Sequence, residues 1–334
     1  MVGRITIAMD AMSGDGGCEP AVDAARAAVA RNKALSIILV GNRSILEAFL
    51  GSGHPRIEIE EATQVVTMDE RPSSALRHKR SSSMAVAISL VRDGRAHACV
   101  SAGNTGALMA FGLSQLHTHP GIERPAIIKR IPSLRSACYV LDLGANVDAS
   151  AEHLFQFAVM GTLMAQAIDQ RQRPRVALLN VGKESVKGTE QVRLASHMLA
   201  GTDAINYVGY IEGNEIFEGA ADVVVCDGFV GNVALKTGEG VAKLLIDLIR
   251  KSFRGSWYGR FIGLLAAPLV RPLLRQMDPA RRNGASLIGL QGVVVKSHGN
   301  ADATAFEAAV EQATAEVEQR IPERIGEELD KVDF

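Results

Sequence analysis

The chain has 334 residues, 47% of them hydrophobic and 22% charged, the balance of an ordinary globular enzyme with a sizeable core. A formal net charge of −1 and an aromatic share of 4% argue against nucleic acid as a partner. Cys18, Cys99, Cys138 and Cys226 are far apart with no C-x-x-C, which argues against disulfides or a zinc site.

No stretch approaches the roughly 20 apolar residues of a membrane span. The opening MVGRITIAMD is too short in its apolar part for a secretory signal. A cytoplasmic protein is the expectation.

Residues 4–9 predict a strand, ending in a loop rich in glycine and carboxylates that begins at Asp10. Pro20 suits a helix start, and 21–30 is strongly helix-forming. A strand over 36–40, a short helix over 42–50 capped by Asn42, and a strand over 57–60 follow. This alternation implies a mostly parallel sheet covered by helices on both faces. Residues 69–84 interrupt it. There Arg71, Arg77, Lys79 and Arg80 lie close to Ser81, Ser82 and Ser83. Cations with hydroxyls suit a phosphate, and a solvated surface loop explains them equally well. A helix over 84–92 precedes a strand over 97–101. That strand runs into Ser101-Ala102-Gly103-Asn104-Thr105-Gly106 and a helix over 107–116, a credible backbone cradle for an anion. Neither G-x-G-x-x-G nor a Walker A loop occurs here, so nothing points to a dinucleotide or to ATP.

Strands are expected over 126–131 and 137–141, the second ending in a loop that contains Asn146. A helix over 152–168 carries an apolar stripe. A strand over 175–180 leads to a loop with Lys187 and Gly188, and another strand covers 205–211. Residues 222–226 form a β-branched run that stops at Asp227-Gly228. Gly231-Asn232 then opens a helix over 233–245, with Lys236 one turn in. Strand, polar loop and helix together aim backbone N–H groups at an anion. Taken alone, the loop is an ordinary βα turn.

Residues 248–277 are the compositional outlier, with six cations, no acidic residue and the only Trp. Pro268 and Pro272 suggest two short helices with a bend. A basic, Trp-bearing amphipathic segment reads as an interfacial membrane element, or as a dimer arm, or as both. The last strand, 293–296, places Lys296 and His298 at a strand terminus, and a helix over 302–319 closes the pattern.

Six polar, Gly-rich loops thus follow strands. If those loops share one sheet edge, they converge on an anionic, phosphate-bearing ligand. With no metal-ligand spacing and no nucleophile elbow, neither a metal nor a cofactor is expected. Chemistry by positioning and electrostatics is the natural mode.

Eight stretches carry a family resemblance: IAMDAM at 7–12, ALRHKRSSSM at 75–84, SAGNTGALMA at 101–110, RPAI at 124–127, LDLGANVD at 141–148, LLNVGKESVKG at 178–188, the run 221–240, and NGASLIGLQGVVVKSHG at 283–299. In this order they resemble the PlsX family, the phosphate acyltransferases of bacterial phospholipid synthesis. The resemblance implies a three-layer α/β/α sandwich similar to phosphotransacetylases and isocitrate dehydrogenases. It implies one catalytic unit over 1–334 with a protruding helical arm at 248–280. The implied reaction transfers a long-chain acyl group from acyl carrier protein to inorganic phosphate, giving acyl-phosphate. The implied partners are a second copy of the chain, an anionic membrane bound peripherally at the inner face of the cytoplasmic membrane, and a downstream glycerol-phosphate acyltransferase.

On this basis Asn104, Asp227, Asn232, Lys236 and His298 are the candidate catalytic residues. Asp10, Arg77, Lys79, Ser82, Ser83, Ser101, Gly103, Thr105, Gly106, Asn146, Lys187, Gly188, Gly231 and Lys296 are the candidates for phosphate and substrate. Phe253, Trp257, Phe261, Ile262, Leu264, Leu265, Leu269 and Leu273 are the expected membrane contacts. A small-acyl phosphotransacetylase using coenzyme A, a decarboxylating dehydrogenase and a non-catalytic membrane scaffold are the rival expectations.

Overall fold

The computed structural model describes residues 4–51, 53–135 and 137–329. In chain order, β1 (Ile5–Asp10), α1 (Glu19–Arg31), β2 (Leu35–Gly41), α2 (Arg43–Leu50) and β3 (Ile57–Glu61) form the expected alternation. A proline enters the first turn of α1, and the Asn42 side chain accepts from the Ile45 amide at 3.1 Å to cap α2. Next come α3 (Pro72–His78), α4 (Ser83–Arg92), β4 (Ala98–Ser101) and α5 (Thr105–Leu116). The middle of the chain holds β5 (Ala126–Ile131), β6 (Cys138–Leu141), α6 (Ala151–Asp169), β7 (Arg175–Leu179), α7 (Glu190–Ala200), β8 (Asn206–Ile211), α8 (Glu215–Glu218) and β9 (Val223–Val225). Two long helices, α9 (Gly228–Arg254) and α10 (Trp257–Met277), precede β10 (Ala285–Ile288), β11 (Val293–Lys296), α11 (Ala303–Glu318) and α12 (Ile321–Leu329).

The strands form one sheet in the order β3-β2-β1-β4-β11-β10-β5-β6-β9-β7-β8. From β3 to β11 neighbours are parallel, and so are β6, β9, β7 and β8. Between these blocks β10 is antiparallel to β11 and β5, and β5 is antiparallel to β6. Three reversals leave the second block running opposite to the first. The polar loops after β6, β7 and β9 therefore leave the other edge from those after β1, β4 and β11. This corrects the expectation of a single shared edge. The alternation of strand and helix carries no direction once an antiparallel strand intervenes, and β10 went unrecognised within 283–301.

Helices cover both faces. Ile5, Ile7 and Met9 pack toward α1 and α11, while Ala8 packs on the other face with Ile88 of α4 and Leu108 and Phe111 of α5. In the second block Tyr139, Leu141, Val223 and Val225 meet Leu154 and Phe157 of α6 and Leu199 of α7. The face shared by α4, α5 and the start of α9 has one continuous core reaching across both blocks. Strands buried on both faces read as unbroken apolar runs, which is why they were legible.

The arm departs from expectation. The chain bends at Gly255-Ser256, and both Pro268 and Pro272 lie inside α10. They are exposed and one turn apart, so the carbonyls they free, at Leu264 and Pro268, face water instead of demanding a break. Trp257, Phe261, Ile262, Leu264, Leu265, Leu269 and Leu273 are all exposed, with Leu269 at 82% and Trp257 at 81%. Phe253 is not free as expected. It is half-buried between the two helices, where a Cβ on Gly263 would lie 3.1 Å from its ring.

A buried carboxyl on α11 marks a pH-sensitive point of the fold. Glu316 is held by Ser286 of β10 and by Gln312 at 2.7 Å, and burial pushes its pKa from 4.5 up to about 7. The native carboxyl thus keeps its proton more tightly than the unfolded chain. Its contribution is most favourable below the unfolded value and falls as pH rises through about 7. Glu316→Gln is expected to raise the urea unfolding free energy by roughly 1–3 kcal/mol at pH 8 and to change it little at pH 5. A variant equally destabilised at both pH values refutes this account.

Candidate functional site

Two buried carboxylates frame the site without entering it. Asp10, at the end of β1, accepts from Ser101 Oγ at 2.6 Å, and Ser101 Oγ accepts from the Gly103 amide at 3.1 Å. Asp142, after β6, accepts from the amides of Ile127 at 2.9 Å, Ala145 at 3.1 Å and Asn146 at 2.6 Å. Burial pushes the Asp142 pKa up and these amides pull it back down, leaving it raised. The Asn146 side chain donates to Pro125 O and to Asp142. Asp10, Ser101 and Asn146 were expected to touch substrate; instead they are buried and fully engaged in holding loops.

The glycines have a similar explanation. A Cβ on Gly231 would lie 1.9 Å from Asp142 O, so glycine there lets α9 cross against the loop after β6. Helix α9 begins at Gly228, earlier than expected, because Asp227 caps it by accepting from the Val230 amide at 2.9 Å. The Gly231 amide already donates to Asp227 O at 3.0 Å, so it is not available to an anion. Gly103 is closed in by Met84 and Ser13, and Gly106 lies against Pro72. In the first turn of α5, Ala107 donates to Asn104 Oδ1 and Leu108 to Asn104 O. Thr105 and Gly106 present the remaining first-turn amides.

Asn104 itself is spent. Its Nδ2 donates to Met68 O at 2.8 Å and Glu70 O at 3.0 Å, tying the segment before α3 to the start of α5. It is a positioning residue in this geometry, not the catalytic residue expected. Ser82 caps α4 and Ser83 lies 3.5 Å from Ser13, both fully buried. Arg77 donates to Ser73 O within its own helix, and Lys79 ends that helix. Lys187 and Gly188 sit in the loop after β7, apart from the other candidates.

What the fold does bring together is a cleft of about 220 Å³ over the reversing strands. Its walls include Thr105 of α5, Lys129 of β5, Asn232, Lys236 and Glu239 of α9, and Lys296 and His298 at the end of β11. Lys236 Nζ lies 3.0 Å from His298 Nε2 and 3.0 Å from Glu239 Oε2. Lys129 Nζ lies 2.8 Å from Glu239 Oε1. Burial pushes the Glu239 carboxyl up, but His298, Lys129 and Lys236 outweigh it and hold it well below the usual carboxylate range. Lys296 is half-buried and donates to Ala102 O at 3.1 Å and to Ser297 O. Desolvation, with Lys236 nearby, lowers its pKa to about 8 against the pull of Asp10 and Asp15.

Lys236, His298, Asn232, Lys296 and Thr105 therefore converge as expected. Glu239 and Lys129 were missed, as was Asn283, whose Oδ1 accepts from the His298 amide at 3.1 Å. Glu239 could have been found from its position three residues after Lys236, on the same helix face. Lys129 could have been found as a cation that follows the buried run Ala126–Ile128 within β5.

Because the Glu239 pKa is depressed in the native state, its stabilisation is present above about 4.5 and is lost as pH falls toward the native value. Glu239→Gln is expected to cost about 1–3 kcal/mol at pH 7, between the values for exposed and buried pairs, and much less near pH 3. Paired urea titrations at the two pH values check this. An equal cost at both would mean the ion cluster is not its source.

Comparison with other proteins gives this geometry a lineage. The chain is 66% identical over 326 residues to a phosphate acyltransferase of Marinobacter nauticus, covering 98% of this chain and 96% of that one. It is 50% identical over 330 residues to a phosphate acyltransferase of Legionella pneumophila, with 98% and 96% covered. A phosphotransacetylase from Streptococcus pyogenes shares the fold with a TM-score of 0.64 at 17% identity, covering 95% of this chain and 94% of that one. The EutD phosphotransacetylase of Staphylococcus aureus does so with a TM-score of 0.61 at 14% identity, covering 94% of each. Residues 5–324 match the family described as fatty acid synthesis protein, and the chain belongs to that family.

Proposed function

We propose that this protein transfers a long-chain fatty acyl group from acyl carrier protein to inorganic phosphate, releasing acyl-phosphate. The observation that carries the reading is the cleft lined by three lysines, Lys129, Lys236 and Lys296, and one carboxylate, Glu239, with His298 beside Lys236. Cations in that excess suit a small dianion. The names of the close relatives support the same reaction.

Phosphate is itself the nucleophile and needs orientation more than deprotonation. The first-turn amides of Thr105 and Gly106, with Lys236 and Lys296, hold it at the start of α5. One phosphate oxygen attacks the thioester carbonyl carbon. The imidazole of His298 and the amide of Asn232 stabilise the oxyanion that forms. The carbon–sulfur bond then breaks, and the hydrogen-phosphate proton ends on the departing carrier thiol. No other reactant is consumed.

We further propose that the α/β unit works as a single catalytic body within a homodimer. In this proposal α10 rests on an anionic membrane at the inner face of the cytoplasmic membrane. Arg260, Arg271 and Arg275 are exposed beside its apolar residues, the pattern of an interfacial helix. Among the described residues no helix is long and apolar enough to cross a membrane. The acyl-phosphate would then pass to a glycerol-phosphate acyltransferase at the same surface.

Purified protein with palmitoyl-acyl carrier protein and phosphate should release carrier thiol and form a hydroxamate-trappable acyl-phosphate in equal amounts. Absence of both sinks the transferase reading. In the same assay Lys296 should lose its proton as pH rises through about 8, so the KM for phosphate should climb across that range. Lys296→Met should raise KM about tenfold at pH 7 and flatten the climb. Phosphate's own ionisation is common to both proteins, so the difference between the profiles isolates the lysine. Replacing Trp257 and Phe261 together with alanine should cut sedimentation with anionic liposomes by about tenfold while turnover of soluble substrate persists. Unchanged sedimentation removes α10 from the membrane role.

A further inference from the structure

A second cavity, of about 560 Å³, adjoins the cleft and shares Lys129, Leu143, Leu235 and Glu239 with it. Lys129 and Glu239 stand in the shared wall, and Arg130 and Arg282 also line this second cavity. Beyond that wall α9 presents a stripe, Ala234, Gly238, Val241, Ala242 and Leu245, at helical spacing. Phe217 of α8 stands opposite: a Cβ on Gly238 would lie 3.2 Å from its ring. The sheet floor is Ile131 and Val140. Phe217, Val241 and Leu245 are each more than 40% exposed, an apolar surface that nothing in the catalytic geometry uses. The far end, at Leu245 and Met277, lies at the root of the arm formed by α9 and α10.

We infer that this cavity is the tunnel for the acyl chain of the substrate, running along α9 from the cleft toward the arm. The inference rests on the acyl-transfer reading and adds where the chain lies. Continuity with the polar cleft selects an occupant with one charged or reacting end and a long apolar body. The size falls within the roughly 300–1,000 Å³ of small-molecule sites. Another cavity, of about 600 Å³, also adjoins the cleft at Lys236 and His298, but Lys243, Asp247, Arg250, Asp278 and Asp302 line it. The apolar path for a straight chain from a thioester carbonyl beside His298 and Lys236 runs through the wall at Leu143 and Leu235. Small side chains at Ala234, Gly238 and Ala242 keep the path open, and a side chain at Gly238 would meet the Phe217 ring.

A chain buried methylene by methylene should gain roughly two- to fourfold in kcat/KM per added group until the cavity is full. Gly238→Leu should block the path midway. The ratio of kcat/KM for palmitoyl- over octanoyl-acyl carrier protein should fall by about tenfold or more. Phe217→Ala should raise that ratio. A ratio unmoved by both substitutions, with turnover measurable, overturns the inference and leaves the transferase reading standing. If the wild-type protein turns over neither substrate, the transferase reading itself has failed.

The unmodified protein gives an independent measurement. A palmitoyl chain carrying a diazirine near its methyl end, delivered on acyl carrier protein without phosphate, should label peptides of α8 and the middle of α9 on irradiation. Labels confined to α10, or a second copy of the chain found sealing the cavity in solution, overturn the assignment whatever the variants do.

Discussion

One carboxylate, Glu239, sets the arrangement on which the site depends. Two lysines and a histidine come within 4 Å of it, from α9 itself, from β5 and from the end of β11. Unit charges about 4 Å apart repel by roughly 4 kcal/mol at an effective dielectric constant of 20. Without an anion among them, Lys129, Lys236 and Lys296 could not stay close in a partly buried cleft. With one carboxylate the cluster holds together and keeps a net positive charge. That remaining charge is what an incoming dianion meets.

The position of that cluster follows from the sheet. Two parallel blocks of opposite sense are joined through β10 and β5. The loop after β4 and the loop after β9 leave opposite edges, so no single edge could collect both. Their helices, α5 and α9, instead start from opposite edges and meet over the same face, above β5, β10 and β11. A cleft between two helix starts over a sheet face is the result. The close crossing of α9 against the loop after β6, which only glycine at 231 permits, fixes how near the two helices come.

Much of this was legible from sequence, and the pattern of error has physical causes. Strands buried on both faces are unbroken apolar runs, and β4, β9 and β11 were placed within a residue or so. Helices with a proline or a capping side chain at their start, such as α1, α2 and α11, were equally clear. The helices α3 and α7 were not found, although Pro72 opens the first and Thr189 caps the second. Within the site Lys236, Lys296 and His298 were identified. The hydroxyls and amides around them were over-assigned. Ser82, Ser83, Ser101, Asn104 and Asn146 have the chemistry of ligands, but each spends it on backbone groups or on neighbouring side chains. Sequence shows that a donor exists, and only coordinates show where it is already used.

The same distinction bears on how the acyl group is carried. A covalent route through an enzyme thiol needs a thiolate, and all four cysteines are buried. Desolvation raises Cys99 and Cys226 well above the ordinary thiol value and takes Cys138 to about 12. Cys226 is the nearest to the site, yet it lies beneath Gly231 with its Sγ toward Asp142 O. A thiol so placed packs a helix crossing and cannot accept an acyl group. Direct attack by phosphate removes the need for such a step. The electrostatic work then falls on groups that are already charged, and the protein's remaining task is to keep a long apolar chain out of water while a small dianion reacts at its head. A polar cleft opening through a shared wall into an apolar cavity, with an exposed apolar arm beyond, meets both requirements in one continuous surface.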